Sequence, residues 1–266
     1  MSSVTTQLSS NGVLTLTLNR AEKHNALDGA TIEELHAALL AAEGHDGVRV
    51  VVLTGAGKSF CAGADINHMR ALKDASEAQN FADASALARC LRALDELDRP
   101  VIARVNGNAF GGGVGLVACA DIAIGVDTAK FALSEVRLGI VPATISPYVI
   151  AAMGAHHARR LFLTAAAIDA HEAHRVGLLH YVATAEELDA TLNAQIDALL
   201  QGGPLAQRAA KRLVRDVVAA NDRDRLQSDT AQLLAKLRVT PEAREGLSAF
   251  LERRKPDWIA ASEGSK

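Results

Sequence analysis

The chain has 266 residues, 49% hydrophobic and 22% charged, with a formal net charge of −3. This length buries a core without disulfides, and the near-neutral charge speaks against bulk electrostatic binding of nucleic acid. Three cysteines without CxxC spacing (Cys61, Cys90 and Cys119) exclude a disulfide framework and a structural zinc site. With no apolar run of about eighteen residues and no basic-then-apolar start, a cytoplasmic protein with no membrane partner is expected.

In chain order, residues 13–18 and 48–53 alternate or run apolar as strands do,. Between them, 31–43 reads as a helix with Ile32, Leu35, Leu39 and Leu40 on one face, capped by Thr31 with Glu34 three residues on,. A long helix over 76–98 stops at Arg99-Pro100, and strands follow at 101–105, 121–126 and 131–133,. Beyond about residue 185 only helical patterns remain, at 185–200, 204–220, 225–238 and 241–253,. The expected organisation is an α/β core over 1–195 and a C-terminal helical region over 196–266. The tail's apolar residues, Leu226, Leu233, Leu234, Leu237, Leu247, Phe250 and Leu251, outnumber what a small helical cap buries, so packing on the core or on another subunit is expected.

The run NGNAFGGGVGLVACAD at 106–121 is the strongest local signal. Its Gly113-Val-Gly115-Leu-Val-Ala118 matches GxGxxA, but a dinucleotide fingerprint follows its strand at once, and here several residues intervene. Glycines opening a helix leave its first N–H groups unobstructed, with the dipole adding positive charge, which suits a developing oxyanion. A second small-residue loop, 57–66, also follows a strand, so two donors on one carbonyl oxygen are within reach of this pattern. His171 and His174 lack HExxH spacing, and His156-His157 has no ligand partner at the right separation, so no metal is expected. Cys61 and Cys119 read as small apolar packing.

Taken together, the motifs resemble the enoyl-CoA hydratase/isomerase (crotonase) family. They run from Leu18-Asn19-Arg20 and Lys23-His24-Asn25-Ala26-Leu27 through Phe60-Cys61-Ala62-Gly63-Ala64-Asp65-Ile66, Gly111-Gly112-Gly113 and Ser134-Glu135-Val136 to Val141-Pro142. The resemblance implies a crotonase-like spiral of β-β-α units whose C-terminal helices form a homotrimer or a dimer of trimers. It implies an acyl-CoA thioester substrate, with coenzyme A as part of the substrate and no metal or redox cofactor. Backbone amides of Ala62 and Gly112 would form the oxyanion hole, each contributing about 3 kcal/mol to the transition state. Asn25, Ala26, Leu27, Ala62, Gly63, Ala64, Asp65, Ile66 and Gly112 would contact the substrate, with Arg20 and Lys23 near its phosphates.

Typical hydratases of that family carry two glutamates, at the positions of Gly115 and Glu135 here. Glu135 alone remains, and is expected to be the acid/base in a partly apolar environment. The implied activity is hydration of an enoyl-CoA, with Δ3,Δ2-enoyl-CoA isomerisation and a catalytically weak acyl-CoA- or RNA-binding relative as alternatives. The segment 131–148 with Gly115 is similar to methylglutaconyl-CoA hydratase-like proteins of leucine breakdown. Ser146 and Tyr148 are expected along the acyl chain, and Lys211, Arg212, Arg215, Arg223 and Arg225 form a basic stripe that meets either solvent or CoA phosphates.

Overall fold

A computed structural model describes residues 2–259; Met1 and residues 260–266 of the expected helical region lie outside the described residues. The chain begins with β1 (Val4–Leu8), β2 (Val13–Leu18), α1 (Gly29–Glu43) and β3 (Val50–Gly55). It continues with β4 (Ser59–Cys61), α2 (Ile66–Leu72), α3 (Glu77–Glu96), β5 (Val101–Val105), β6 (Asn108–Phe110) and α4 (Gly112–Ala118). Next come β7 (Ile122–Val126), β8 (Lys130–Ala132), α5 (Ser146–Thr164), β9 (Ile168–Asp169), α6 (Ala170–Arg175) and β10 (Tyr181–Ala183). Four helices follow: α7 (Leu188–Gln201), α8 (Pro204–Ala219), α9 (Arg223–Arg238) and α10 (Pro241–Glu252).

Six strands form one sheet in the order β1-β2-β3-β5-β7-β10, parallel except for the β1–β2 pair. The run 50–53 is apolar throughout because β3 lies between β2 and β5 and is buried along its length, as central parallel strands are. A second sheet, β4-β6-β8-β9, is built from short strands. Its β4, β6 and β8 pair in parallel, which brings the chain ends after β4 and β6 side by side. This is the expected mixed α/β architecture with a C-terminal helical region.

Helix α1 differs from expectation at its start. Asp28, not Thr31, is the N-cap, accepting from the Thr31 amide at 2.9 Å. Glu34 instead binds the Ser3 and Val4 amides at 2.7 and 3.0 Å, tying the N-terminus to the helix. A true capping box appears at α3, between Ser76 and Gln79, where an orphan amide at each position finds a side-chain acceptor. Helix α5 has no counterpart in the sequence reading, because Gly154 (φ 74°) breaks its regular turn.

The expected boundary at 195/196 falls inside α7, which packs on β3, β5, β7 and β10. Beyond it, α8 and α9 bury no residue, and Val218, Phe250 and Leu251 stand about four-fifths exposed, at 82%, 80% and 78%. Three of the five residues of the basic stripe fold back on the core: Lys211 pairs with Asp121 at 2.8 Å, Arg212 with Asp98, and Arg215 donates to the Asp95 carbonyl at 3.3 Å. No helix among the described residues is long and apolar enough to cross a membrane.

Candidate active site

The site is assembled from a latch, two loops and one carboxylate. The latch is Asn25, fully buried with φ 56°. Its Oδ1 accepts from the Arg20 amide at 3.0 Å, and its Nδ2 donates to the Ala56 and Ser59 carbonyls at 2.9 and 2.7 Å. This holds residues 26–27 beside the loop that follows β4. There Leu27 forms a parallel bridge with Ala64, its amide donating to Gly63 O at 2.7 Å and its carbonyl accepting from Asp65 at 2.8 Å.

That bridge decides which amides are free. Ala62 donates to the His24 carbonyl at 2.9 Å, so the expected donor at Ala62 is corrected: its N–H is already used inside the protein. In a parallel bridge the central residue on the partner strand turns its own amide away from the pair. The Ala64 amide accordingly makes no hydrogen bond among the described residues. Across the site, Gly111 (φ 48°, ψ −117°) precedes α4, a conformation suited to glycine alone. Its Cα approaches Gly63, since a Cβ on Gly111 would lie 3.9 Å from Gly63 Cα. Gly112 then opens α4 with an N–H that has no helical partner,.

Glu135 begins a 3-10 turn, Glu135–Leu138, just after β8. Its Oε1 lies 3.2 Å from where a Cβ on Gly111 would stand, so any larger residue at 111 would press on the carboxylate. Its Oε2 is buried with no hydrogen-bond partner among the described residues. Burial pushes the Glu135 carboxyl above its usual range, against a smaller opposing pull from its own amide, which is the environment a proton-transfer group needs. Ala64, Gly112 and Glu135 line one cavity of about 360 Å³, together with Leu27, His68 and Ile145.

The position of the missing acid is occupied. A Cβ on Gly115 would lie 2.9 Å from Ile145 Cβ and closer still to its Cγ2. Ile145, 2% exposed, fills that space and puts an apolar side chain in the lining of the cavity that holds Glu135.

A family model for enoyl-CoA hydratase/isomerase matches residues 9–261. The chain belongs to this family. As a family member it is 37% identical over 248 residues to a crotonyl-CoA hydratase of Syntrophomonas wolfei, covering 92% of this chain and 94% of that protein. It is 35% identical over 253 residues to a 2,3-dehydroadipyl-CoA hydratase of Escherichia coli K12, again covering 92% and 94%. The crystal structure of an enoyl-CoA hydratase from Shewanella pealeana superposes with a TM-score of 0.93 at 40% identity over 96% of each chain. The expected crotonase-like fold and an enzyme of the enoyl-CoA hydratase type therefore stand.

Within this family member, several expected contact residues hold structure instead of lining the cavity. Asn25 is the latch, Ala26 is buried, and Ile66 faces solvent at 69% exposure. Arg20 is buried between Asp65 at 2.7 Å and Asp28 at 2.8 Å, with Nη1 donating to the Ala26 carbonyl at 2.5 Å; it is not free for a phosphate. Burial opposes ionisation of Asp65, but the Asn67 amide, the Arg20 guanidinium, the His68 amide and Lys23 outweigh it and hold its carboxyl at about 2. Lys23 stays more exposed, 3.5 Å from Asp65. Ser146 and Tyr148 lie outside the cavity lining.

Cys61 packs under Gly113, where burial drives its thiol up to about 12, as a packing residue would show. Among the cavity residues that the sequence reading did not single out are Ile145, His68 and Asp83. Nothing in the sequence couples Ile145 to Gly115. For His68 the only signal was its place three residues beyond Asp65, on the first turn of α2.

Proposed function

We propose that this protein is an enoyl-CoA hydratase that adds water reversibly across the Cα–Cβ double bond of an α,β-unsaturated acyl-CoA. One observation carries the reading: two unpaired amides, Ala64 and Gly112, share a cavity with a carboxylate of raised pKa, Glu135. The amides hold the thioester oxygen as negative charge develops on it, aided by the N-terminal dipole of α4. Ionised Glu135 takes a proton from water as the water oxygen bonds to Cβ, then returns that proton to Cα, leaving the 3-hydroxyacyl thioester and a regenerated carboxylate. With Ile145 filling the space beside Gly115 and the other cavity carboxylate, Asp83, paired with His68, both transfers are assigned to Glu135.

A lone carboxylate also suits proton transfer between Cα and Cγ, so double-bond isomerisation is the second reading, favoured by the same Gly115–Ile145 pair. Relatives named as hydratases over nine-tenths of this chain support hydration first. A methylglutaconyl-like chain would add a carboxylate to a cavity whose only basic lining residue among the described residues, His68, is already paired with Asp83 at 2.7 Å; that charge balance favours uncharged acyl chains. Exposed apolar residues on α8 to α10 support assembly as a homotrimer or a dimer of trimers,. Three buried free thiols support a cytoplasmic setting.

The test is incubation with crotonyl-CoA, 3-methylglutaconyl-CoA and a 3-enoyl-CoA, following absorbance and product mass. Hydration predicts loss of the conjugated absorbance with the mass of one water gained on crotonyl-CoA. Unchanged mass with a moved double bond replaces hydration by isomerisation, and binding without either product overturns both.

A further inference from the structure

The wall of the cavity formed by α2 and α3 carries a polar pair for which hydration has no use. His68 Nε2 and Asp83 Oδ1 are 2.7 Å apart, their side chains 24% and 30% exposed, and both line the cavity beside apolar Leu27, Met69 and Leu87. With Nε2 facing the Asp83 carboxylate, Nδ1 is the ring nitrogen left over, an acceptor on the neutral ring and a donor on the imidazolium,. Nδ1 has no hydrogen-bond partner among the described residues.

We infer that His68, oriented by Asp83, recognises an uncharged hydroxyl group carried on the acyl chain of the substrate. The inference rests on the acyl-CoA reading above and narrows it. A hydroxyl both donates and accepts, so it pairs with Nδ1 in either form of the ring. A plain alkyl chain long enough to reach α2 removes Nδ1 from solvent and returns nothing, leaving a polar atom unpaired. A carboxylate meets Asp83 and Glu135 with no unpaired cation to offset them, and like charges at short range oppose its entry.

The experiment compares matched short- and medium-chain 2-enoyl-CoAs that are unsubstituted, ω-hydroxylated or ω-carboxylated, by kcat/KM for hydration. Calorimetric binding of the corresponding saturated acyl-CoAs gives a ranking that does not depend on turnover. At the best chain length the hydroxylated compound is expected to lead the unsubstituted one by about tenfold, with the carboxylated compound last. His68→Leu and Asp83→Asn should each pull the hydroxylated-to-unsubstituted ratio back toward one, a selectivity change that general destabilisation does not produce. A preference for the carboxylated chain, or no preference for the hydroxylated one in the unmodified protein, overturns the inference, as does a ratio unmoved by both variants. Ranked binding without hydration sinks the hydratase reading and leaves this one standing; hydration without ranking does the reverse.

Discussion

Ile145 stands where a side chain at position 115 would be, its Cβ 2.9 Å from the point a Gly115 Cβ would occupy. Replacing a helical glycine by alanine normally gains about 1 kcal/mol. Here Gly115→Ala overpacks the joint between α4 and the start of α5 and should cost about 1–3 kcal/mol. Ile145→Ala alone should cost about 2–5 kcal/mol through the cavity it leaves. In the double variant Gly115→Ala should be nearly free of cost, giving a coupling well above 0.5 kcal/mol in a denaturant-unfolding cycle. Additive losses would mean that the two positions do not compete for the same space.

Glu135→Gln should lower kcat by about 10²–10⁴-fold while leaving CoA affinity nearly intact. Since burial raises the carboxyl's pKa above its usual 4.5, the acid limb of the wild-type kcat/KM profile should lie above that of an ordinary carboxylate. Activity rises with pH through that limb, because the ionised form takes the proton from water. Loss of CoA binding in parallel with kcat would remove Glu135 from the chemistry.

The same shift has a stability consequence of definite sign. An acid with a higher pKa folded than unfolded binds more protons in the fold, so its ionisation destabilises the native state. The cost is absent below the unfolded value near 4.5 and complete above the folded one. Glu135→Gln should therefore melt higher than wild type at neutral pH. The advantage should vanish as pH falls below 4.5; an advantage that grows on acidification would contradict the assignment.

Arg20 gives the opposite case. Asp65 is held at about 2 against an ordinary value of 3.8, so its ionisation adds stability that is present above 3.8 and lost as pH falls toward 2. Arg20→Met strands the buried Asp65 carboxylate and should cost about 3–5 kcal/mol at neutral pH. The midpoint of acid unfolding should move upward in pH as that depressed titration is lost. A neutral-pH loss with an unmoved acid midpoint would place Arg20's contribution elsewhere, in its bond to the Ala26 carbonyl.

Much of this arrangement was legible in the residues, and the failures have physical causes. The apolar run that becomes β3 and the helical periods of α7 to α10 are local signals, and their elements appear within a few residues of expectation. Glu135 and Gly112 share the expected cavity. Ala64 instead of Ala62 was not legible, because which amide is free depends on the Leu27–Ala64 bridge between segments far apart in the chain. The same holds for Ile145, whose relevance to Gly115 exists only once α5 packs on α4. Arg20 was expected near the CoA phosphates, because nothing local marks it as the partner of Asp65, forty-five residues on. Short strands β4 and β6, three residues each, carry too little pattern to read.

The central claim, that the Ala64 and Gly112 amides carry the charge of the thioester oxygen, is tested most directly by changing one backbone N–H to an ester oxygen. Lactic acid incorporated in place of Ala64 removes that donor and leaves every side chain in place, while weakening the Gly63 carbonyl as an acceptor for the Leu27 amide. Hydration of crotonyl-CoA should then fall about 10²–10³-fold in kcat, the usual cost of one oxyanion donor. The same ester at position 62 breaks only the bond to the His24 carbonyl and should leave kcat far less affected. A large kcat loss at 62 with little at 64 would contradict the account.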